Sequence, residues 1–153
     1  MIGATAGDAL TDGIKNVAVG MNALGADVSG DNSVAIGSNA LQAQTGTDGN
    51  VYNVAVGANA GFSVTTGAQN TIVGGLAGDA LTTGVRTVAV GYNAGGALTT
   101  GDSNVAIGYQ ALMTEDAHSN NVAVGASALQ TQNAGAHAYN TAVGFESGKA
   151  ITT

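Results

Sequence analysis

A five-residue motif, Asn16-Val17-Ala18-Val19-Gly20, returns along the whole chain. It recurs as Ser33-Val34-Ala35-Ile36-Gly37, Asn53-Val54-Ala55-Val56-Gly57, Asn70-Thr71-Ile72-Val73-Gly74 and Thr87-Val88-Ala89-Val90-Gly91. Three more copies end at Gly108, Gly125 and Gly144, and a truncated first copy is Ile2-Gly3. With the closing glycine as ruler, the steps are 17, 17, 20, 17, 17, 17, 17 and 19 residues. A fixed short period is the mark of a solenoid, in which each unit buries its core only against its neighbours. The nine copies account for essentially all of the 153 residues, so the chain reads as one domain, 1–153.

The motif is β-branched and bounded by Asn and Gly, which predicts a strand. Seventeen residues hold no helix pair, but they hold two strands of about five residues and two turns. One copy is then one coil of a parallel β-solenoid. Nine coils stacked at about 4.8 Å give a rod of roughly 40 Å.

Side chains alternate along a strand, which separates two columns. Val19, Ile36, Val56, Val90, Ile107 and Val124 precede the ruler glycine and share a face with the Val two places earlier. Ala18, Ala35, Ala55, Ala89, Ala106 and Ala123 point the other way, with Ile72 the exception. A strand apolar on both faces is buried on both faces. A coil this thin covers one of them. The expectation is that the Val/Ile ridge fills the coil and the Ala column meets neighbouring chains. Rotational symmetry is the usual way to close such a contact, and three rods about an axis would bury it. A lone rod with both columns inside is the alternative.

Other columns read as turns. Position +3 from the ruler glycine is Ala in most copies, +4 is Leu or Gly, and Leu10, Val64, Leu81, Leu98 and Ile151 stand at +7. Thr-Thr-Gly or Thr-Asp-Gly follows several of these, and glycine there is expected to supply positive φ. Asn at −4 is expected to bond to the backbone up the rod. Two copies are longer, within 45–52 and 133–139. Solenoid insertions emerge as loops on one face, often the binding face. Asp48, Tyr52, His137 and Tyr139 in these loops, together with His118, which occupies a turn where other copies carry Gly, are the candidate receptor contacts.

Composition narrows the function. Charged residues make up 8% of the chain, a level suited to a rod whose sides are covered by neighbours. The net charge is −7, and Lys15, Arg86 and Lys149 form no basic stripe, which argues against nucleic acid and anionic membranes. No stretch reaches the roughly 20 apolar residues of a membrane span, and residues 1–15 carry no signal-peptide pattern. There are no cysteines, and His118 and His137 lie in separate turns, without the HExxH spacing of a metal site. No catalytic, cofactor or metal residues are expected, and no enzyme. A stacked-Thr face of the ice-binding kind is a minor alternative, interrupted at Gln44, Asp116 and Asn133. Ile151-Thr152-Thr153 stops where other copies reach glycine, with no polar cap, so a segment of a longer fibre is expected.

Ser33-Val34-Ala35-Ile36-Gly37-Ser38-Asn39-Ala40 resembles the head repeats of the YadA-like trimeric autotransporter adhesins. In that family such repeats build a left-handed parallel β-roll, three of which form a trimer. Asn104-Val105-Ala106-Ile107-Gly108-Tyr109-Gln110-Ala111-Leu112 is similar to repeats of bacteriophage tail fibres and related bacterial trimeric fibres. The period of 17 departs from the shorter adhesin repeat. The resemblance implies an extracellular homotrimeric fibre, on a cell surface or a phage virion, attaching to a glycan or protein receptor. A spacer or virion decoration without a ligand is the rival.

Overall fold

The computed structural model describes residues 1–46, 49–132 and 139–151. Its strands are β1 (Val17–Val19), β2 (Gly30–Asp31), β3 (Val34–Ile36), β4 (Gly49–Asn50), β5 (Val54–Val56) and β6 (Thr71–Val73). The rest are β7 (Val88–Val90), β8 (Val105–Ile107), β9 (Val122–Val124) and β10 (Thr141–Val143). Eight of them form one parallel sheet in the order β1-β3-β5-β6-β7-β8-β9-β10, so successive copies pair directly. Register is strict: Val88 faces Val105, Ala89 faces Ala106 and Val90 faces Ile107. The first copy joins through a single bridge, Ile2 to Val19. The chain is a parallel β-solenoid, as the repeat requires.

The coil is simpler than the expected pair of five-residue strands. The strands of the main sheet have three residues, and among the described residues only β2 and β4 pair in a second sheet. The rest of the described coil is turns, bends and irregular backbone, stacked through bonds such as Leu24 N–H to Ala40 C=O at 3.1 Å and Gly78 N–H to Ala94 C=O at 3.0 Å. Left-handed residues recur at +2 and +4 and interrupt any extended run. Asn22, Asn39, Asn59 and Asn93 take +2 with φ of 53–58°, a conformation Asn tolerates. At +4, Leu24, Leu41, Leu112 and Leu129 hold φ of 47–51°. That conformation costs roughly 1–2 kcal/mol for a non-glycine residue. Each of these leucines is fully buried, which is worth about 1.5–3 kcal/mol and offsets it.

The turn glycines Gly13, Gly67, Gly84 and Gly101 correct one expectation. None has positive φ. They are required because the next coil passes too close: a Cβ on Gly84 would stand 2.7 Å from the carbonyl oxygen of Gly101, and one on Gly13 2.6 Å from that of Gly30. The ruler glycines need both properties. Gly57 has φ of 140°, and a Cβ there would meet the Gly74 oxygen at 2.5 Å.

The two faces of the sheet are inverted relative to the sequence expectation. Ala18, Ala35, Ala55, Ala89, Ala106 and Ala123 are fully buried within the single chain. The ridge of Val19, Ile36, Val56, Val90, Ile107 and Val124 points outward and is half-buried or exposed. The reason is the width of the coil. Across the interior from the Ala column stands position +4: a Cβ on Gly95 would lie 3.8 Å from the Ala89 Cβ, and one on Gly148 3.5 Å from that of Ala142. The gap admits a methyl from the strand side, not two columns of Val. Where the column holds Ile72 instead, both facing residues, Gly61 and Gly78, are glycine.

The interior is completed by an exchange between +4 and +7. Where +4 is glycine, +7 is a large apolar residue, as in Gly61/Val64, Gly78/Leu81 and Gly95/Leu98. Where +4 is leucine, +7 is polar: Leu24/Asp27, Leu41/Gln44, Leu112/Glu115 and Leu129/Gln132. Both side chains claim one space. A Cβ on Gly95 would already be 2.8 Å from the Leu98 Cδ1.

Asparagine at −4 bonds as expected. Asn70 is fully buried; its Nδ2 donates to the Gly84 carbonyl at 2.9 Å and its Oδ1 accepts from the Thr87 N–H at 2.8 Å. Asn53 and Asn104 repeat the pattern.

Candidate functional site

The candidate receptor contacts do not gather into one patch. Asp48 and His137 lie outside the described residues. Tyr52 and Tyr139 are exposed and share column −5, each with a left-handed backbone, φ 56° and 51°. They stand five coils apart, roughly 24 Å at the usual strand spacing. His118 is mostly covered and belongs to a different column. The threonines of the Thr-Thr pairs spend hydroxyls on the rod itself: Thr82 Oγ1 donates to the Thr99 carbonyl at 3.0 Å and Thr99 Oγ1 to that of Asp116 at 2.7 Å.

The polar residues at +7 create two buried networks built on one plan. In the first, Asp27 Oδ1 accepts from the Gly30 N–H at 3.1 Å, and its Oδ2 from Gln44 Nε2 at 2.6 Å. Gln44 Nε2 also stands 3.1 Å from Ser33 Oγ, and Gln44 Oε1 accepts from Asn53 Nδ2 at 3.0 Å. Asp27, Ser33, Gln44 and Asn53 are all fully buried. The second network pairs Glu115 with Gln132, whose Nε2 lies 3.1 Å from Glu115 Oε2 and 3.2 Å from Asn121 Oδ1. In each case an acid caps its own turn, and a glutamine one coil on caps the acid. Each glutamine also immediately precedes one of the two long turns.

The second network carries more ligating chemistry. Glu115 Oε1 accepts from the His118 N–H at 3.1 Å and lies 2.6 Å from His118 Nδ1. Asp116 Oδ1 is 4.0 Å from the same ring nitrogen. One ligand atom from each of Glu115, Asp116 and His118 fits within 4.8 Å of the others, the only such trio among the described residues. A search framed on helical spacing misses it, because three nearby residues converge here through a tight turn. The signal was the column itself: Glu115-Asp116-Ala117-His118 replaces Leu98-Thr99-Thr100-Gly101 of the coil before.

The outward face of the main sheet is apolar along the rod. Val17, Ile36, Ile107 and Val143 are exposed, at 43, 39, 37 and 68%. Beside them at +1 stand the exposed Met21, Tyr92, Tyr109 and Phe145. Tyr92 and Tyr109 stack along the rod, ring centroids 5.8 Å apart and planes 14° from parallel. The surface also carries a groove lined by Asp12, Ile14, Ser29, Asp31 and Gly49 and another lined by Asn59, Phe62, Leu76 and Asp79. Burial raises the Asp79 carboxyl above its usual range, against the lowering effect of the Asp79 and Ala80 N–H groups. Among the described residues no helix is long and apolar enough to cross a membrane.

Comparison with protein-family models, curated proteins and solved structures finds no match for this chain.

Proposed function

We propose that the chain is a non-catalytic segment of a homotrimeric, extracellular fibre, of nine coils per rod, contributing to attachment to a host or target cell. The observation that carries the reading is the outward Val/Ile face, which runs over the eight paired strands and is left open by the single chain. Contiguous apolar surface of this kind marks an interaction site. Two further copies covering it would explain how a chain with 8% charged residues stays dispersed. The partner-facing column is thus the valine and isoleucine ridge, not the alanines. The left-handed β-roll, the adhesive role and the location on a cell surface or virion rest on the resemblance to YadA-like head repeats and phage tail fibres. Tyr52 and Tyr139 are exposed positions from which a glycan or protein receptor would be contacted. A spacer without a ligand is the second reading, favoured by the large share of the coil that the rod uses for its own stacking.

The test has two arms. Ile36→Glu with Ile107→Glu puts charge on the open face and leaves the coil interior untouched. The expected result is loss of the oligomer by light scattering with the circular dichroism spectrum kept. Binding of the unaltered protein to a glycan array or to host cells then separates adhesin from spacer; absence of binding, where the parent fibre binds, favours the spacer.

A further inference from the structure

Two surface columns break their own pattern at one level of the rod. Position +2 carries Asn22, Asn39, Asn59 and Asn93, and its one apolar residue is Leu76. Leu76 holds φ of 57°, a conformation that asparagine bears more easily than leucine. The leucines at +4 offset that cost in the interior, whereas Leu76 stands half-buried at the surface. Position +5 carries residues such as Gly25, Gln42, Gly96 and Gln130, and its one ring is Phe62, 39% exposed. Both exceptions line the same groove, together with Asn59 and Asp79. Coil stacking requires neither of them, since the other copies fold the same turn without them.

The polar walls of the groove are complementary to one another. Along +2 the amides form a ladder of fixed direction: Asn22 Nδ2 donates to Asn39 Oδ1 at 3.0 Å, and Asn39 Nδ2 to Asn59 Oδ1 at 2.9 Å. The ladder ends at Asn59, because Leu76 in the next coil has no side-chain acceptor. Asn59 Nδ2 is thereby left as a donor at the groove. Asp79 is the acceptor. Its carboxylate is half-buried, and among the described residues no cation pairs with it. A carboxylate taken partly out of water gains from charge-assisted bonds to donors that a ligand brings.

We propose that the groove of Asn59, Phe62, Leu76 and Asp79 binds one uncharged pyranose ring of a glycan. The inference rests on the attachment reading, to which it adds a site and a receptor class. The groove holds about 190 Å³, less than the roughly 300–1,000 Å³ of a site for a drug-sized ligand, so it suits a single ring. The C–H face of the sugar packs on the Phe62 ring and the Leu76 side chain and takes apolar surface out of water. A hydroxyl is both donor and acceptor, so neighbouring sugar hydroxyls donate to the Asp79 carboxylate and accept from Asn59 Nδ2. A lysine or arginine side chain answers Asp79 but has no acceptor for the Asn59 donor. An acidic sugar is repelled by Asp79, on a chain of net charge −7.

The test titrates the whole chain with the methyl glycosides of glucose, galactose and mannose, followed by nuclear magnetic resonance shifts. The methyl glycoside of glucuronic acid and Nα-acetyl-lysine amide are the charged comparisons. At least one neutral glycoside is expected to bind with a Kd of about 1–10 mM, the range open to a ligand of this size. Leu76→Asn restores the residue of its column, continues the ladder and takes up the Asn59 donor. Phe62→Gln likewise restores a residue of its column. Each is expected to weaken binding by about 10-fold or more, with the circular dichroism spectrum kept. Thr83→Ala, outside the groove, leaves affinity unchanged. No shift with any neutral glycoside up to about 100 mM overturns the proposal. So does equal affinity in both groove variants, or tighter binding of either charged probe. Host-cell binding is read separately. Protein that binds a neutral glycoside but no host cell contradicts the attachment reading and leaves the groove standing; protein that binds cells but none of these glycosides does the reverse.

Discussion

The exchange between +4 and +7 gives a quantitative test of the packing. Gly95→Leu alone places a side chain where Leu98 already stands, since its Cβ would be 2.8 Å from the Leu98 Cδ1. Overpacking of this kind costs about 1–3 kcal/mol, and a left-handed non-glycine residue about 1–2 kcal/mol more. Leu98→Ala alone empties a fully buried site, at about 2–5 kcal/mol. In the double variant the introduced leucine fills the volume that Leu98 vacates, the arrangement Leu24, Leu41, Leu112 and Leu129 already adopt. Only the backbone term of about 1–2 kcal/mol should remain. The double-mutant cycle should therefore show a coupling of at least about 2 kcal/mol, with the pair more stable than the sum of the singles. Urea unfolding followed by circular dichroism, at one fixed protein concentration, reads it. Additivity to within about 0.5 kcal/mol would refute a shared space.

Three further outcomes follow from the same geometry. Ala106→Glu buries an unpaired carboxylate inside the coil and should cost about 3–5 kcal/mol, seen as a lowered unfolding midpoint and not as a folded, dispersed monomer. Asn70→Ala strands the Thr87 N–H and the Gly84 carbonyl and should lower stability by about 2–4 kcal/mol in the same assay. Thr83→Ala, at an exposed turn position, serves as the near-neutral comparison. Asp79 has its folded pKa raised above 3.8 by burial. Such a group favours the fold while protonated and loses that contribution as pH rises from the unfolded value through the folded one. Asp79→Asn should accordingly raise the melting temperature at neutral pH and lose the advantage near pH 3; an equal gain at both would contradict it.

The strand positions and the parallel register of a β-solenoid were legible in the Asn-Val-Ala-Val-Gly copies, because period and β-branching act locally. The inside of the coil was not. Alternation shows that Ala106 and Ile107 face opposite ways, but which face is interior depends on what stands across the coil. That information lay in pairs such as Leu41/Gln44 and Gly95/Leu98, three residues apart and outside any strand. Reading +4 and +7 as separate columns hid it. Turn glycines misled for a related reason: Gly84 resembles a residue chosen for its φ, while its neighbour one coil away sets the constraint. The Glu115–His118 contact was obscured by the same turn, whose closure no helix or strand periodicity describes.

The claim on which the fibre reading stands is that the valine and isoleucine ridge is covered by two more copies of the chain. Sedimentation equilibrium of the unaltered protein over a wide concentration range measures this directly. The account predicts a single species at three times the 14.7 kDa chain mass. A stable, folded species at 14.7 kDa throughout, with that ridge open to water, would contradict it.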